Sequence, residues 1–260
     1  MPTNPYAPPA AQVADPTVIQ RGQYVPGGRG VTSGRGWNWI VEGWTLFKRA
    51  PGMWIAIIVT FAVIYFVVAL VPLVGSLASF LLGPVFGAGL MLGCRVIEEG
   101  GELEFKHLFE GFSNRLGPLV AVGALYLAAW IGIVLVAALV GGVGVFALFL
   151  GGGGQDAAAM AAALTTMVLV GLIVLALSVP VVMAVWFAPA LVVFHELGPV
   201  EAMKDSFLGC LRNVLPFLVY GIMFTLLAIL ATIPLGLGWL VLGPVTAASI
   251  YTAYRDIYLS

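Results

Sequence analysis

From Ala50 to Cys94 the chain reads APGMWIAIIVTFAVIYFVVALVPLVGSLASFLLGPVFGAGLMLGC, 45 residues without a formal charge. A bilayer span needs about 20 predominantly apolar residues, so this stretch holds two. Pro72-Leu73-Val74-Gly75 divides it, because proline fixes one backbone angle and glycine permits the reversal. The stretch therefore reads as a helical hairpin, with spans at about 53–73 and 76–97.

Working outward, three further charge-free runs follow, Leu116–Gln155, Ala157–His195 and Asn213–Tyr254, of 40, 39 and 42 residues. The last divides at Pro234-Leu-Gly-Leu-Gly238 into spans at about 215–234 and 239–257. The run from Leu116 holds a span at about 117–140. After it, Gly141–Gly154 reads GGVGVFALFLGGGG, whose apolar part is too short to cross; it is expected as a re-entrant segment or a connector on the bilayer surface. The run from Ala157 would be about 58 Å long as a straight helix. Against a hydrocarbon core of ~30 Å it must kink, tilt or protrude, and Pro180 and Pro189 mark the kink sites. The expected count is six spans in an all-α membrane protein.

Composition agrees. Of 260 residues 61% are hydrophobic and 9% charged, where a soluble domain carries about 25% charged residues. Eleven Lys and Arg against twelve Asp and Glu give a net charge of -1. That leaves no basic excess for neutralising phosphates, which argues against a nucleic-acid partner. All eleven basic residues fall before the first span, between the second and third, between the fourth and fifth, or at the end of the sixth. Lys and Arg accumulate in cytoplasmic segments, so both termini are expected inside.

The first 35 residues, rich in Pro and Gly, lack the apolar run of a signal peptide and are expected as a disordered cytoplasmic arm. Asn4-Pro5-Tyr6-Ala7-Pro8-Pro9 within it is a candidate docking motif. Residues 36–260 form the membrane domain.

That domain repeats. Before the first, third and fifth spans lies a short amphipathic segment with helical spacing. Trp37, Ile40, Val41, Trp44 and Phe47 oppose Asn38, Glu42, Thr45 and Lys48. Phe105, Leu108, Phe109 and Phe112 oppose Lys106, His107 and Glu110. Val200, Met203, Phe207 and Leu211 oppose Glu201, Lys204 and Asp205. Each is too short and polar to span, and is expected to lie flat at the cytoplasmic interface with its aromatic face in the acyl boundary. Each ends in arginine followed by proline: Arg49 with Pro51, Arg115 with Pro118, Arg212 with Pro216. The arginines are expected to snorkel towards lipid phosphates.

The second helices repeat as well. GPVFGAGLMLGCRVI from Gly83 aligns without gaps on GPVTAASIYTAYRDI from Gly243, pairing Arg95 with Arg255. PVVMAVWFAPALVVFHE from Pro180 shares the Pro-Val but has Leu191 at the arginine position. The reading is three parallel units, 36–100, 101–197 and 198–260, each a flat helix followed by a transmembrane pair. Pro84, Pro180 and Pro244 are candidate kink points. Trp37, Trp44, Phe47, Arg49, Phe109, Phe112, Arg115, Phe207 and Arg212 are the candidate lipid or partner contacts.

Away from their cytoplasmic ends, the six expected spans carry no charged group of the kind that marks proton coupling or intramembrane catalysis. Glu98, Glu99, Glu102, Glu104, His107, His195 and Glu196 gather on the cytoplasmic side, without a spacing diagnostic of a metal site. Cys94 and Cys210 read as free thiols in a reducing compartment. No phosphate loop or dinucleotide fingerprint is present. The expectation is therefore no catalytic, cofactor or metal residue.

FAPALVVFHELGPVEAMKDSFLGCLRN from Phe187, Phe217-Leu-Val-Tyr-Gly221, the ending YTAYRDIY and the opening GWNWIVEGWTLFKRAPGMW from Gly36 resemble a proteobacterial family of six-span inner-membrane proteins. The resemblance covers about residues 36–258. It implies an integral protein of the bacterial inner membrane and brings no catalytic or binding residue with it. A looser likeness in layout is to the membrane domains of some glycerophosphodiester phosphodiesterases, whose catalytic barrel this chain is too short to add.

The leading functional expectation is non-enzymatic: interfacial helices that sense lipid or dock a cytoplasmic or membrane protein partner at the inner leaflet. The alternative is a channel or transporter for a neutral or lipidic solute between the units. An enzyme acting on lipid through Glu99, His107 and His195 ranks third.

Overall fold

The computed structural model describes residues 22–150 and 157–260, the side chains of 147, 148 and 150 excepted. Among these residues every regular element is helical: α1 (Arg35–Arg49), α2 (Pro51–Ala69), α3 (Val74–Glu98), a 3-10 turn (Phe105–Phe109) running into α4 (Glu110–Ser113), α5 (Leu116–Leu150), α6 (Ala157–Trp186), α7 (Ala188–His195), α8 (Pro199–Arg212), α9 (Val214–Thr232) and α10 (Trp239–Tyr258). Pro51 and Pro199 open α2 and α8 from the first turn, where a missing N–H costs nothing. The reversals between α2 and α3 and between α9 and α10 fall at the Pro72 and Pro234 segments, with Leu73, Leu235 and Gly236 in the left-handed region.

Five stretches are long and apolar enough to cross a bilayer: Pro51–Ala69, Val74–Glu98, Leu116–Phe146, Ala157–His195 and Val214–Thr232. Helix α10, expected as a further span, is less apolar, and its surroundings explain why. It is packed by protein on most sides, from Leu242 and Pro244 through to Tyr258. A helix that meets neighbours rather than acyl chains accommodates Ser249, Thr252 and three tyrosines. By contrast α2 buries only Trp54 and Ile57.

The glycine-rich segment is corrected by the fold. Helix α5 continues unbroken through Gly141, Gly142 and Gly144 to Leu150, 35 residues in all, so this part is not a re-entrant loop. Glycine costs about 1 kcal/mol in a water-exposed helix, but unpaired backbone groups in apolar surroundings cost several, so the helical hydrogen bonds persist. Residues 151–154 lie outside the described residues, as does the Asn4–Pro9 motif.

Pro84, Pro180 and Pro244 all lie inside continuous helices. The break in the long third run comes instead at Phe187, with Pro189 in the first turn of α7.

The amphipathic segments are the cement of the bundle. Helix α1 packs on α10 and α9, the 3-10 turn with α4 packs on α3, and α8 packs on α6 and α7. Two of these contacts run backbone to backbone. A Cβ on Gly43 would meet the Ser249 nitrogen at 2.8 Å and the Val245 oxygen at 2.9 Å on α10, and one on Gly111 would strike the Val85 oxygen of α3. The expected face of α1 consequently divides. Ile40 and Phe47 turn inward with Trp39 and Leu46, while Trp37, Val41 and Trp44 remain exposed on the other side.

Residues 22–34, expected as part of a disordered arm, form an ordered strap. The Val25 N–H donates to the Tyr258 carbonyl at 2.9 Å, and the Arg29 N–H to that of Ile257 at 2.8 Å. Backbone bonds of this kind have no side-chain signature, so composition alone could not reveal them.

Candidate functional site

The C-terminal ends of α3, α7 and α10 converge on a cavity of about 700 Å³, lined by Arg95, Glu98, Glu99, Phe194, His195, Tyr251, Tyr254, Arg255 and Asp256 and walled on one side by Tyr24 and Arg29 of the strap. Helical phase decides which residues arrive there. Arg95 and Glu98–Glu99 occupy the last turn of α3, and Tyr251, Tyr254 and Arg255 share one face of α10. Leu191, at the arginine position of the second unit, is fully buried, and His195 one turn later reaches the cavity instead.

A chain of ion pairs fixes the floor. Arg255 donates to Glu42 at 2.6 Å and pairs with Glu98, which also accepts from the Tyr251 hydroxyl at 2.6 Å. Arg35 bridges Glu42 at 2.9 Å and Asp256 at 2.5 Å, and the Trp39 indole donates to Asp256 at 3.0 Å. The first amphipathic helix is thereby locked to both α10 and α3. Arg95 donates through Nε to Glu99 at 3.1 Å and lies over the Phe194 ring, 5.2 Å from its centre.

The strap closes the opposite wall. Tyr24 stacks on His195 with ring centres 4.0 Å apart and donates its hydroxyl to Asp205. Burial first, and then that carboxylate, push the Tyr24 phenol well above its ordinary range, so it stays a donor. His195 in turn meets the Tyr254 hydroxyl through Nε2 at 2.6 Å. Asn213 is fully buried and clamps the strap from below: its Oδ1 accepts the Val31 N–H and its Nδ2 donates to the Arg29 and Gly209 carbonyls, each at 2.8 Å.

The arginines that end the amphipathic segments hydrogen-bond to the protein. Arg49 donates to the Ile97 carbonyl at the end of α3 at 2.8 Å, Arg115 to the Glu196 carbonyl beyond α7 at 2.5 Å, and Arg212 to the carbonyls of Gly27 and Gly28 beside the end of α10. Cations at helix C-termini satisfy orphan carbonyls and complement the helix dipole. Of the aromatic candidates, Trp37, Trp44, Phe109 and Phe112 are exposed, Phe47 is buried and Phe207 half-buried.

The acids and histidines expected on the cytoplasmic side separate into two groups. Glu98, Glu99 and His195 line the cavity. His107 is buried elsewhere in a capping box, where its Nδ1 accepts the Glu104 N–H at 2.8 Å. That separation removes the Glu99–His107–His195 arrangement. Among the described residues no three His, Cys, Asp or Glu side chains group as metal ligands. Cys210 is buried and its thiol is pushed up to about 12 by desolvation, so it is no nucleophile. The sequence reading missed the roles of Tyr24, Asn213 and Asp256. The parallel alignment of Arg95 with Arg255 was the signal leading towards the cavity.

Over 204 residues, covering 76% of this chain and 75% of the relative, the sequence is 31% identical to a probable inner membrane protein of Burkholderia thailandensis. The chain belongs to that protein's family. With its five bilayer-length apolar stretches, this member is a transmembrane protein. No protein-family model matches the chain and no solved structure does, so the layout likeness to the membrane domains of glycerophosphodiester phosphodiesterases finds no support.

Proposed function

We propose that this family member is a six-span inner-membrane protein of three parallel units, with both termini cytoplasmic. Its work is non-enzymatic: it holds lipid or a protein partner at the inner leaflet. Helix α10 is the sixth span, since 20 residues rise about 30 Å. Three parallels support the units. Each amphipathic segment packs on the second transmembrane helix of the unit before it, and α1 packs on the last unit's α10, which closes a ring. Each carries an acidic, a small and an aromatic residue in succession: Glu42-Gly43-Trp44, Glu110-Gly111-Phe112 and Asp205-Ser206-Phe207. Arg49 and Arg115 reach carbonyls near the ends of their own units, and Arg212 reaches those of Gly27 and Gly28 in the strap beside the end of α10.

The observation that carries the function is the outward stripe of α1. Trp37, Val41 and Trp44 are 42–43% exposed although the opposite face of the same helix is packed. Trp at the headgroup level satisfies its indole N–H while its rings meet acyl chains. The test replaces Trp37, Trp44 and Phe109 with Ala in the full chain, reading lipid association through quenching by brominated lipids and partner recovery by crosslinking in native membranes. Loss of both or either is expected. A folded triple variant with wild-type quenching and crosslinking would falsify the reading.

A second reading, passage of a lipidic solute, is favoured by an apolar groove of about 350 Å³ beside α6, lined by Val182, Met183, Trp186, Cys210 and Phe217. The Trp186 indole N–H is buried there with no partner among the described residues. Proteoliposomes that move no fluorescent lipid analogue faster than protein-free vesicles would remove it.

A further inference from the structure

The cavity at the ends of α3, α7 and α10 combines volume with chemistry, and its charges specify a ligand class. About 700 Å³ lies within the usual range for a small-molecule site. Among the described residues its walls carry Arg29, Arg95 and Arg255 against Glu98, Glu99 and Asp256, an even balance. Arg255 and Asp256 are committed inward, to Glu42 and Glu98 and to Arg35 and Trp39 respectively. Arg95 is held differently. Its Nε bond to Glu99 and its seat on the Phe194 ring orient the guanidinium, while its two terminal nitrogens have no hydrogen bond among the described residues. An oriented guanidinium fork is the usual partner of a phosphate or carboxylate.

The rest of the cavity prefers a cation. Three helices turn their C-terminal, partially negative ends towards it. Tyr251 and Tyr254, 4% and 3% exposed, line the wall beside Glu98 with their ring edges and hydroxyls, and aromatic rings attract ammonium groups. A simple anion would meet three carboxylates, and a simple amine would meet three arginines. A ligand carrying one phosphodiester and one ammonium leaves the balance unchanged and has a partner for each end. We propose that this cavity binds a phosphorylated amine of the phosphoethanolamine type, its phosphate on Arg95 and its ammonium on the tyrosine and Glu98 side. The assignment deepens the reading above, on which it rests for placing this end of the bundle at the inner leaflet. The chemistry is shared by a zwitterionic phospholipid headgroup and by a soluble glycerophosphodiester.

The experiment uses the full chain. In nanodiscs of phosphatidylglycerol, glycerophosphoethanolamine is titrated by calorimetry alongside its two half-ligands, glycerol 3-phosphate and ethanolamine. In parallel, native mass spectrometry follows lipids retained from an equal mixture of phosphatidylethanolamine and phosphatidylglycerol. Glycerophosphoethanolamine binding at least tenfold tighter than either half-ligand identifies a soluble source. Selective retention of phosphatidylethanolamine without such binding identifies the lipid. Either signal is expected to fall at least tenfold in Arg95→Gln and less in Arg95→Lys, with helicity and unfolding temperature unchanged. Equal binding of glycerol 3-phosphate, the absence of both signals, or a folded Arg95→Gln that keeps the signal overturns the proposal. The aromatic triple variant separates the two readings: if it retains both normal lipid association and normal partner crosslinking while wild-type protein binds the phosphorylated amine, only the interfacial reading fails.

Discussion

The hydroxyl of Ser206 donates to the carbonyl of Met183 at 2.7 Å, and it accepts the N–H of Phe187 at 2.9 Å. In an uninterrupted helix that N–H would bond that carbonyl directly, four residues back. Helix α8 has in effect inserted one of its side chains into the ladder of α6, and the chain bends there into α7, an attested cause of helix breaks. Ser206 is fully buried, so Ser206→Ala leaves a donor and an acceptor unpaired. The expected cost is about 1–3 kcal/mol, read as a lowered unfolding midpoint in detergent. Cys210→Ala removes only a weak thiol contact to the same carbonyl, at 3.6 Å, and is expected to cost less. Equal losses would mean that packing, rather than the hydroxyl bridge, sets the bend.

The approach of α1 to α10 makes a sharper contrast between two glycines on either side of the end of α1. At Gly43 an added Cβ meets α10 backbone at 2.8 and 2.9 Å, whereas at Gly52 it meets nothing within 4 Å. Backbone cannot yield as a side-chain tip does, so Gly43→Ala is expected to destabilise by about 1–3 kcal/mol. Gly52→Ala is expected to be neutral or slightly stabilising through helix propensity. Thermal unfolding of the two variants side by side checks this, and a neutral Gly43→Ala would contradict the close crossing.

Much of this architecture was legible because apolar runs and Pro/Gly breaks are written locally. The turns at Pro72 and Pro234 and the break near Pro189 follow from backbone restrictions of single residues. What was not legible has physical reasons too. Trp37 and Trp39 are equally apolar, yet one is exposed and the other fully buried; in a membrane protein both lipid and protein accept such a side chain, so periodicity cannot separate the faces. Gly141–Gly144 were read with the cost glycine has in water, and the helix ran through them. Of the cavity, Glu98, Glu99 and His195 stood out as a polar cluster, but Tyr24 sits on a strap held by backbone bonds and by Asn213, which no local pattern marks.

Asn213 governs that strap. Its carboxamide makes two bonds to the strap, at Val31 and Arg29, and a third back into α8 at Gly209. Asn213→Ala is expected to release residues 24–31 while α9 stays folded, seen as faster hydrogen exchange at the Val25, Arg29 and Val31 amides. Asn213→Asp should do so more strongly, because a carboxylate would replace the donor facing two carbonyls. Unchanged protection in both variants would show that the Val25 and Arg29 backbone bonds suffice alone.

The orientation of the bundle is open to the most direct test. All eleven Lys and Arg belong to segments assigned to one side, and such segments resist translocation. An alkaline phosphatase reporter folds only after export, so it is expected to be inactive when fused after Ser260 and active when inserted after Asp156. A fluorescent protein that folds only in the cytoplasm should give the opposite pattern. Phosphatase activity at Ser260 would overturn the topology, because six crossings from an inside start return the chain to the inside; either the start or the count would then be wrong. With it would go the placement of the arginine and tyrosine cavity at the inner leaflet, since that cavity is built from the last turns of α3, α7 and α10.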